Sequence, residues 1–293
     1  MLEIGPAFPC LAQFTPSVPS LAATFLAAAL IPFAVWLSRH QSFPGQAALA
    51  YAHVGAMWWL LTAAFEMGVP DAACKILASG LSHAGIALVA TAWMCFVYRY
   101  TVGTSIAGKR AQNLLMVTVP LTAAGLALTS DVHGAFYTPA TRLVDGPAGP
   151  FMVYDHGPLF YVALGYIYVT VCVSLALLFN AAITAQASGQ LRYWLLFLLG
   201  VVPTLGNVSH LYLGVTVWGY DPTPFMFAVV IVIYVVMLIS DSTLDLRALA
   251  RRQVYNQLPQ AIFVVGGGNR LTAGNRSAEA MLEDYASAND GHA

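Results

Sequence analysis

Few residues of this chain can do chemistry, and most of those that can fall inside or at the ends of long apolar stretches. Glu66 is the one acid placed within such a stretch, and Trp59, Thr62 and Glu66 recur at i, i+3 and i+7, which puts them on one helical face. An ionisable group in hydrocarbon is costly, so it faces a cavity or a partner. Two readings of Glu66 stay open: a ligand-binding acid, or a structural carboxylate that pairs with Lys75 near the headgroups. Asn207 and His210 follow Pro203, whose ring frees a helical carbonyl and marks a kink beside a cavity. Asn207 is equally suited to hydrogen bonding between helices. His83, His133 behind Asp131, Tyr166 and Asp221 complete the candidate set.

The chemistry these residues support is recognition rather than catalysis. No GxSxG or HExxH motif occurs. A retinal Schiff base needs a lysine inside the bundle, and Lys75 and Lys109 are both expected outside the spans. A bis-histidine haem site from His53, His83 and His210 fails on depth, because His53 belongs near the opposite end from the other two. The four cysteines show no CxxC spacing, which excludes a zinc ribbon. Cys95 and Cys172 read as packing residues, whereas Cys10 and Cys74 face the same oxidising side and could form a disulfide. No cofactor and no metal are expected.

The elements that must position these groups are dictated by composition. Of 293 residues, 59% are hydrophobic and 9% charged, and the mean hydropathy is +0.71. A soluble domain carries about 25% charged residues, so the chain could not cover itself with a wetted surface, and disorder needs the opposite bias. A net charge of −1 gives no reason to expect a nucleic-acid partner. A helix crosses the hydrocarbon core with about 20 apolar residues. Seven such runs are present: Leu21–Leu37, Ala47–Gly68, Ile76–Tyr98, Leu114–Thr129, Leu159–Asn180, Tyr193–Leu213 and Phe225–Ser240. Placing the N-terminus outside collects Arg39, Arg99, Lys109, Arg110, Arg192, Arg247, Arg251 and Arg252 on the cytoplasmic side, with only Lys75 and Arg142 outside. The fold class is therefore an all-α integral membrane protein, a seven-transmembrane helix bundle with N-out/C-in orientation.

In that orientation Glu66, His83, His133, Tyr166, Asn207, His210 and Asp221 approach the outer half of the bundle from six helices, the pattern of a pocket opening outward. The loop Ser130–Pro158 is the largest outer connection, and loops of that length are uncommon unless functional. From Asp241 the chain turns polar. Leu244, Leu246, Leu249, Val254 and Leu258 among charges suit a cytoplasmic helix. Ala261–Val265 and Arg270–Ala273 read as strands around a turn, with Asn275 or Ser277 capping a short helix.

This ending, with Gln257-Leu-Pro-Gln-Ala-Ile-Phe-Val-Val265, Arg270-Leu271 and Asn275-Arg-Ser-Ala-Glu279, resembles the start of a PAS domain. The bundle resembles the seven-transmembrane sensor region at the N-terminus of bacterial sensor histidine kinases, which also occurs ahead of diguanylate cyclases. Its matching features are Trp58/Trp59 with Phe65-Glu66 and Lys75, Thr129-Ser-Asp131-Val-His133, Pro203 with Asn207, and Asp221-Pro-Thr-Pro224. The resemblance covers residues from about 20 to the end. It divides the chain into a segment 1–20, a sensor bundle 21–240, a linker helix 241–258 and a partial PAS-like segment 259–293. It implies a multi-pass protein of the bacterial inner membrane that senses a small-molecule or lipid-accessible ligand and relays it through the linker helix, acting as a homodimer in the bilayer. No phosphoacceptor helix, ATP-binding Asn box or GGDEF-type motif is present, so no catalytic output is implied for the chain as given. A permease using Glu66 as coupling carboxylate is the alternative from another class, although no duplicated halves of the kind such transporters carry are visible. A fragment of a membrane histidine kinase is the third.

Overall fold

A turn of three residues, Val69-Pro70-Asp71, separates two of the most apolar stretches and forces them to run antiparallel. In the computed structural model they are helices α3 (Gln46–Gly68) and α4 (Ala72–Val102). Asp71 starts α4 as its N-cap, its carboxylate accepting the Cys74 N–H at 3.1 Å, and Gly103 ends it in the left-handed conformation. The structure describes residues 7–39, 43–146, 149–185, 187–239, 258–266, 270–278 and 280–282.

The two helices meet through small residues. A Cβ placed on Gly85 would lie 2.7 Å from the Gly55 carbonyl, and one placed on Gly55 would lie 2.9 Å from the Gly85 carbonyl. Only glycine permits that approach, the means by which apolar helices associate without a hydrophobic gradient between them. Helix α4 has 31 residues, about 46 Å at 1.5 Å per residue, so it outruns a hydrocarbon core of about 30 Å.

The rest of the bundle alternates around this pair. A short α1 (Ala7–Ala12) precedes α2 (Val18–Arg39), which packs on α3. Ser17 and Ser20 cap the start of α2 reciprocally. A disulfide between Cys10 and Cys74 fastens α1 to the start of α4. Helix α5 (Lys109–Leu128) packs on the other flank of α4, and the single turn α6 (Ser130–His133) closes it. Helices α7 (Pro158–Thr184) and α8 (Ala187–Leu213) pack together, with α7 against α4. Gly157 and Pro158 open α7 where a missing N–H costs nothing. Pro32, Pro120 and Pro203 lie inside α2, α5 and α8, a position that packed membrane helices tolerate.

Six described helices are long and apolar enough to cross a membrane, and a shorter apolar helix, α9 (Thr223–Ile239), follows them. All seven sequence-derived runs recur as helices. Their starts move by up to six residues, at α8, and α4 begins four residues earlier than expected and takes Lys75 into its first turn. Lys75 is therefore not an exposed loop residue; it is fully buried. Asp71 is the cause, since it caps the helix five residues before the hydrophobic run begins.

Between α6 and α7 the long loop is an antiparallel hairpin, β1 (Arg142–Gly146) with β2 (Gly149–Val153), Val144 opposite Phe151. It marks one end of the bundle, which also holds α1, the α3–α4 turn and the start of α9.

Residues 237–293 form a second compact unit. Strands β3 (Phe263–Gly266) and β4 (Arg270–Gly274) pair antiparallel with an irregularity at Val264/Val265. Asn275, fully buried, accepts the N–H groups of Ile262 at 2.9 Å and Ala278 at 3.0 Å through Oδ1. Its Nδ2 donates to the Gln260 carbonyl at 2.8 Å. Asn275 thus ties the strand entry to the following helical turn, the cap expected there. The expected linker helix Asp241–Leu258 lies, but for its last residue, outside the described residues.

Candidate functional site

The hairpin lies over a cavity of about 480 Å³ enclosed by α3, α4, α7, α8 and α9, within the range of small-molecule sites. Its lining reaches from Ser79 to Trp93 on α4, about 21 Å along the helix. Polar groups gather at the hairpin end. The deeper wall is apolar, with Val89, Ala90 and Trp93 from α4 facing Ile167 and Val171 from α7. Trp59 stacks at a tilt on Phe227 with ring centroids 5.9 Å apart, bringing α3 to α9 across it.

Three hydrogen-bonded clusters hold the polar end. In the first, Tyr154 donates to Glu66 Oε1 at 2.7 Å, linking the chain just beyond β2 to the last turn of α3. Lys75 Nζ donates to the main-chain carbonyl of Glu66 at 2.7 Å and to the Tyr220 hydroxyl at 3.1 Å, and lies 5.4 Å from the centre of the Tyr220 ring. Tyr220 in turn donates to the Pro150 carbonyl of β2 at 3.2 Å. Of the two readings of Glu66, the structural one placed Lys75 on its carboxylate; the hydrogen bond of Lys75 is instead to the Glu66 main chain. The ammonium binds the carbonyl that the end of α3 leaves without an intrahelical donor, and the carboxyl group binds the hairpin.

The second cluster runs across α7, α8 and α9. Tyr168 donates to Asn207 Oδ1 at 2.9 Å, Asn207 Nδ2 reaches Thr223 Oγ1 at 3.4 Å, and Thr223 donates to Asp221. Asp221 Oδ1 also accepts the Thr223 N–H at 2.9 Å and so caps α9. In the third, Ser79 and Tyr137 share a hydrogen bond of 2.9 Å beside His83, whose Nδ1 lies 2.8 Å from the Ser79 carbonyl. That carbonyl assigns the proton to Nδ1.

Burial sets the protonation of the groups outside the helices. The Tyr154 hydroxyl is held well above its ordinary range by burial and by the Glu66 charge, and Tyr220 is pushed up to about 12 by the same two causes. His156 stacks on Phe160 at 3.7 Å. Burial lowers it to about 4, an effect that Asp155 opposes and His210 reinforces. At neutral pH the tyrosines are hydrogen-bond donors and His156 is a neutral imidazole.

Of the sequence candidates, Trp59, Glu66, His83, Asn207, His210 and Asp221 line this one cavity. The other three do not. Thr62 stands behind the wall, accepting from Ser82 at 2.8 Å. His133 is spent on local capping, its Nδ1 accepting the Ala135 N–H at 3.0 Å. Tyr166 turns to Thr91, with their hydroxyls 2.8 Å apart. Neighbouring residues supply what sequence reasoning missed: Tyr137, Tyr154, His156 and Tyr220 all come from loops with no periodicity to phase them. For the first three, the aromatic density within Phe136–Phe160 was the available signal.

No curated protein matches the chain. Residues 20–247 match the family model described as the N-terminal 7TM region of histidine kinase. That match spans the helical bundle and most of the sequence, so the chain is a multi-pass membrane protein that belongs to the histidine kinase N-terminal 7TM family, a non-catalytic sensor region.

Proposed function

We propose that the protein is the signal-receiving module of a bacterial two-component or cyclic-dinucleotide system, binding a small molecule in the cavity beneath the hairpin. The observation that carries this reading is the convergence of polar side chains from α3, α4, α8 and the two loops on a single apolar-floored cavity. A ligand that binds one arrangement of the bundle better than another biases it by that difference in affinity. The linker 241–258 passes the bias on, and the segment from 259 is the opening of a PAS domain, a reading supported by the β3–β4 pair and the Asn275 cap. A kinase or cyclase, in the same polypeptide or a separate one, is the output.

The membrane orientation belongs to the same proposal: seven spans in the bacterial inner membrane, N-terminus out and C-terminus in. It is supported by the basic residues at Arg39, Arg99, Lys109, Arg110 and Arg192. The Cys10–Cys74 disulfide at the hairpin end agrees with an oxidising compartment there. Reporter fusions after Leu258 should be active only as cytoplasmic reporters; periplasmic activity would overturn the orientation.

The ligand site is tested by thermal-shift screening of the purified protein in nanodiscs against metabolite pools. A stabilising compound should lose its effect in Ala163→Trp, which puts an indole into the cavity from α7. Stabilisation that persists in Ala163→Trp would place binding elsewhere and sink the pocket reading.

A further inference from the structure

Resting on that reading of the cavity as the ligand site, we propose that its ligand is an amphipathic organic cation, with an ammonium head at the hairpin end and an apolar or aryl body along the α4–α7 wall. The sign of the head group follows from the lining. Among the described residues that line the cavity are two carboxyl groups, Glu66 and Asp221, and no lysine or arginine. Lys75 is the nearest buried cation. It is committed to the Glu66 carbonyl, the Tyr220 hydroxyl and the Tyr220 ring, outside the lining.

Glu66 accepts one hydroxyl, from Tyr154, out of the several hydrogen bonds a carboxylate can take. Charged hydrogen bonds are the strongest available to it in a dry site. A cation at this level would therefore meet acceptors of opposite charge, whereas a carboxylate or phosphate head would meet two groups of its own sign, with the Lys75 ammonium already bonded to the Glu66 carbonyl and the Tyr220 hydroxyl. Asp221 is held at the start of α9 by the Thr223 N–H, so the acidic end is preorganised.

The body follows from the shape. Below the polar end the lining is aromatic and aliphatic for the length of two to three helical turns, with Trp59 and Phe227 on one side and Trp93 at depth. Aromatic faces attract a desolvated ammonium as well as an apolar chain. A purely inorganic cation would leave this wall unfilled, and the described residues hold no cluster of His, Cys, Asp or Glu fit for a metal.

Three probes of matched shape separate charge from fit: 4-phenylbutylamine, 4-phenylbutan-1-ol and 4-phenylbutyrate, titrated calorimetrically into the full chain in nanodiscs at pH 7. The amine should bind about tenfold or more tightly than the alcohol, a difference of about 1.4 kcal/mol, and the carboxylate weakest. Glu66→Gln retains the acceptor for Tyr154 but loses the charge. It should bring the amine to within about threefold of the alcohol while the alcohol's affinity holds. Asp221→Asn keeps the helix cap and should act in the same direction. Ala163→Trp should remove saturable binding of all three. An alcohol that binds in the cavity as well as the amine, or an amine preference that survives both charge-removing variants, would overturn the cation assignment and leave the pocket standing. No saturable binding of any probe, or binding unaffected by Ala163→Trp, would overturn the pocket reading together with the cation.

Discussion

The two walls of the cavity are built on different principles. On one side α3 and α4 are 61% and 67% buried over their apolar windows and touch backbone to backbone at Gly55 and Gly85. On the other, α7 and α8 are 22% and 17% buried. Their link to α9 at the polar end is a relay of side-chain hydrogen bonds through Asn207 and Thr223. A glycine contact has one geometry. A relay of hydroxyl and amide groups has several of similar energy, because each partner can rotate. In the proposed sensor the first wall is the frame and the second is the part a ligand can move. The hairpin is fastened to the frame, reaching α3 through Tyr154 and α4 through Tyr220 and Lys75.

The sharpest way to break this contrast is to overpack the frame. Gly85→Val adds a branched side chain where a Cβ alone would sit 2.7 Å from a backbone carbonyl. It should cost about 3 kcal/mol or more, read as a large fall in melting temperature or loss of folded protein. A near-neutral Gly85→Val would mean the two helices can slide, and the frame would not be one.

Next in size is the clasp. Lys75→Met strips the Glu66 carbonyl and the Tyr220 hydroxyl of a buried partner and should cost about 2–3 kcal/mol. Glu66→Gln keeps its bond to Tyr154 and should cost less than half as much. Equal losses in thermal unfolding would restore a direct side-chain pair and contradict the geometry described above.

The third effect is a pH dependence. His156 is held at about 4 in the folded protein against an ordinary 6.5. The unfolded chain therefore binds more protons between those values, and stability is full above about pH 6.5 and falls as pH drops toward 4. Each pKa unit carries about 1.4 kcal/mol, and screening of a partly exposed ring reduces the effect to on the order of 1 kcal/mol. Melting curves of His156→Gln should be flatter over this window; an identical pH profile would remove His156 as its cause.

The smallest effect sharpens the comparison from the other wall. Gly165 lies on α7 with open space around its Cα, so Gly165→Ala should be neutral or stabilising by under about 1 kcal/mol. A clear loss there would reveal packing on α7 that contradicts a loosely held wall.

Much of this architecture was legible in the residues. Apolar runs of span length must become helices in hydrocarbon, since no other local structure satisfies the backbone there, and all seven runs did. Six of the nine candidate site residues reached the cavity because helical phase and span direction together place a side chain in depth and, to a degree, in angle. Thr62, His133 and Tyr166 show the limit. The direction a side chain takes around the helix axis depends on which neighbour the helix packs against, as the bond from Tyr166 to Thr91 shows.

Sequence alone therefore determined the membrane helices, their boundaries within a few residues, the level at which polar groups collect and the family resemblance. These rest on local hydrophobicity and covalent order. Only the tertiary structure decided that Lys75 sits inside the protein on a main-chain carbonyl, that Tyr154 and Tyr220 bind the hairpin to the helices, and that Cys10 meets Cys74. Each of these joins residues far apart in the chain, with separations of 145 for Lys75 and Tyr220, 88 for Glu66 and Tyr154 and 64 for the cysteines. No local period encodes such a meeting. It follows from how the helices pack, and from the cost of leaving a buried polar group without a partner.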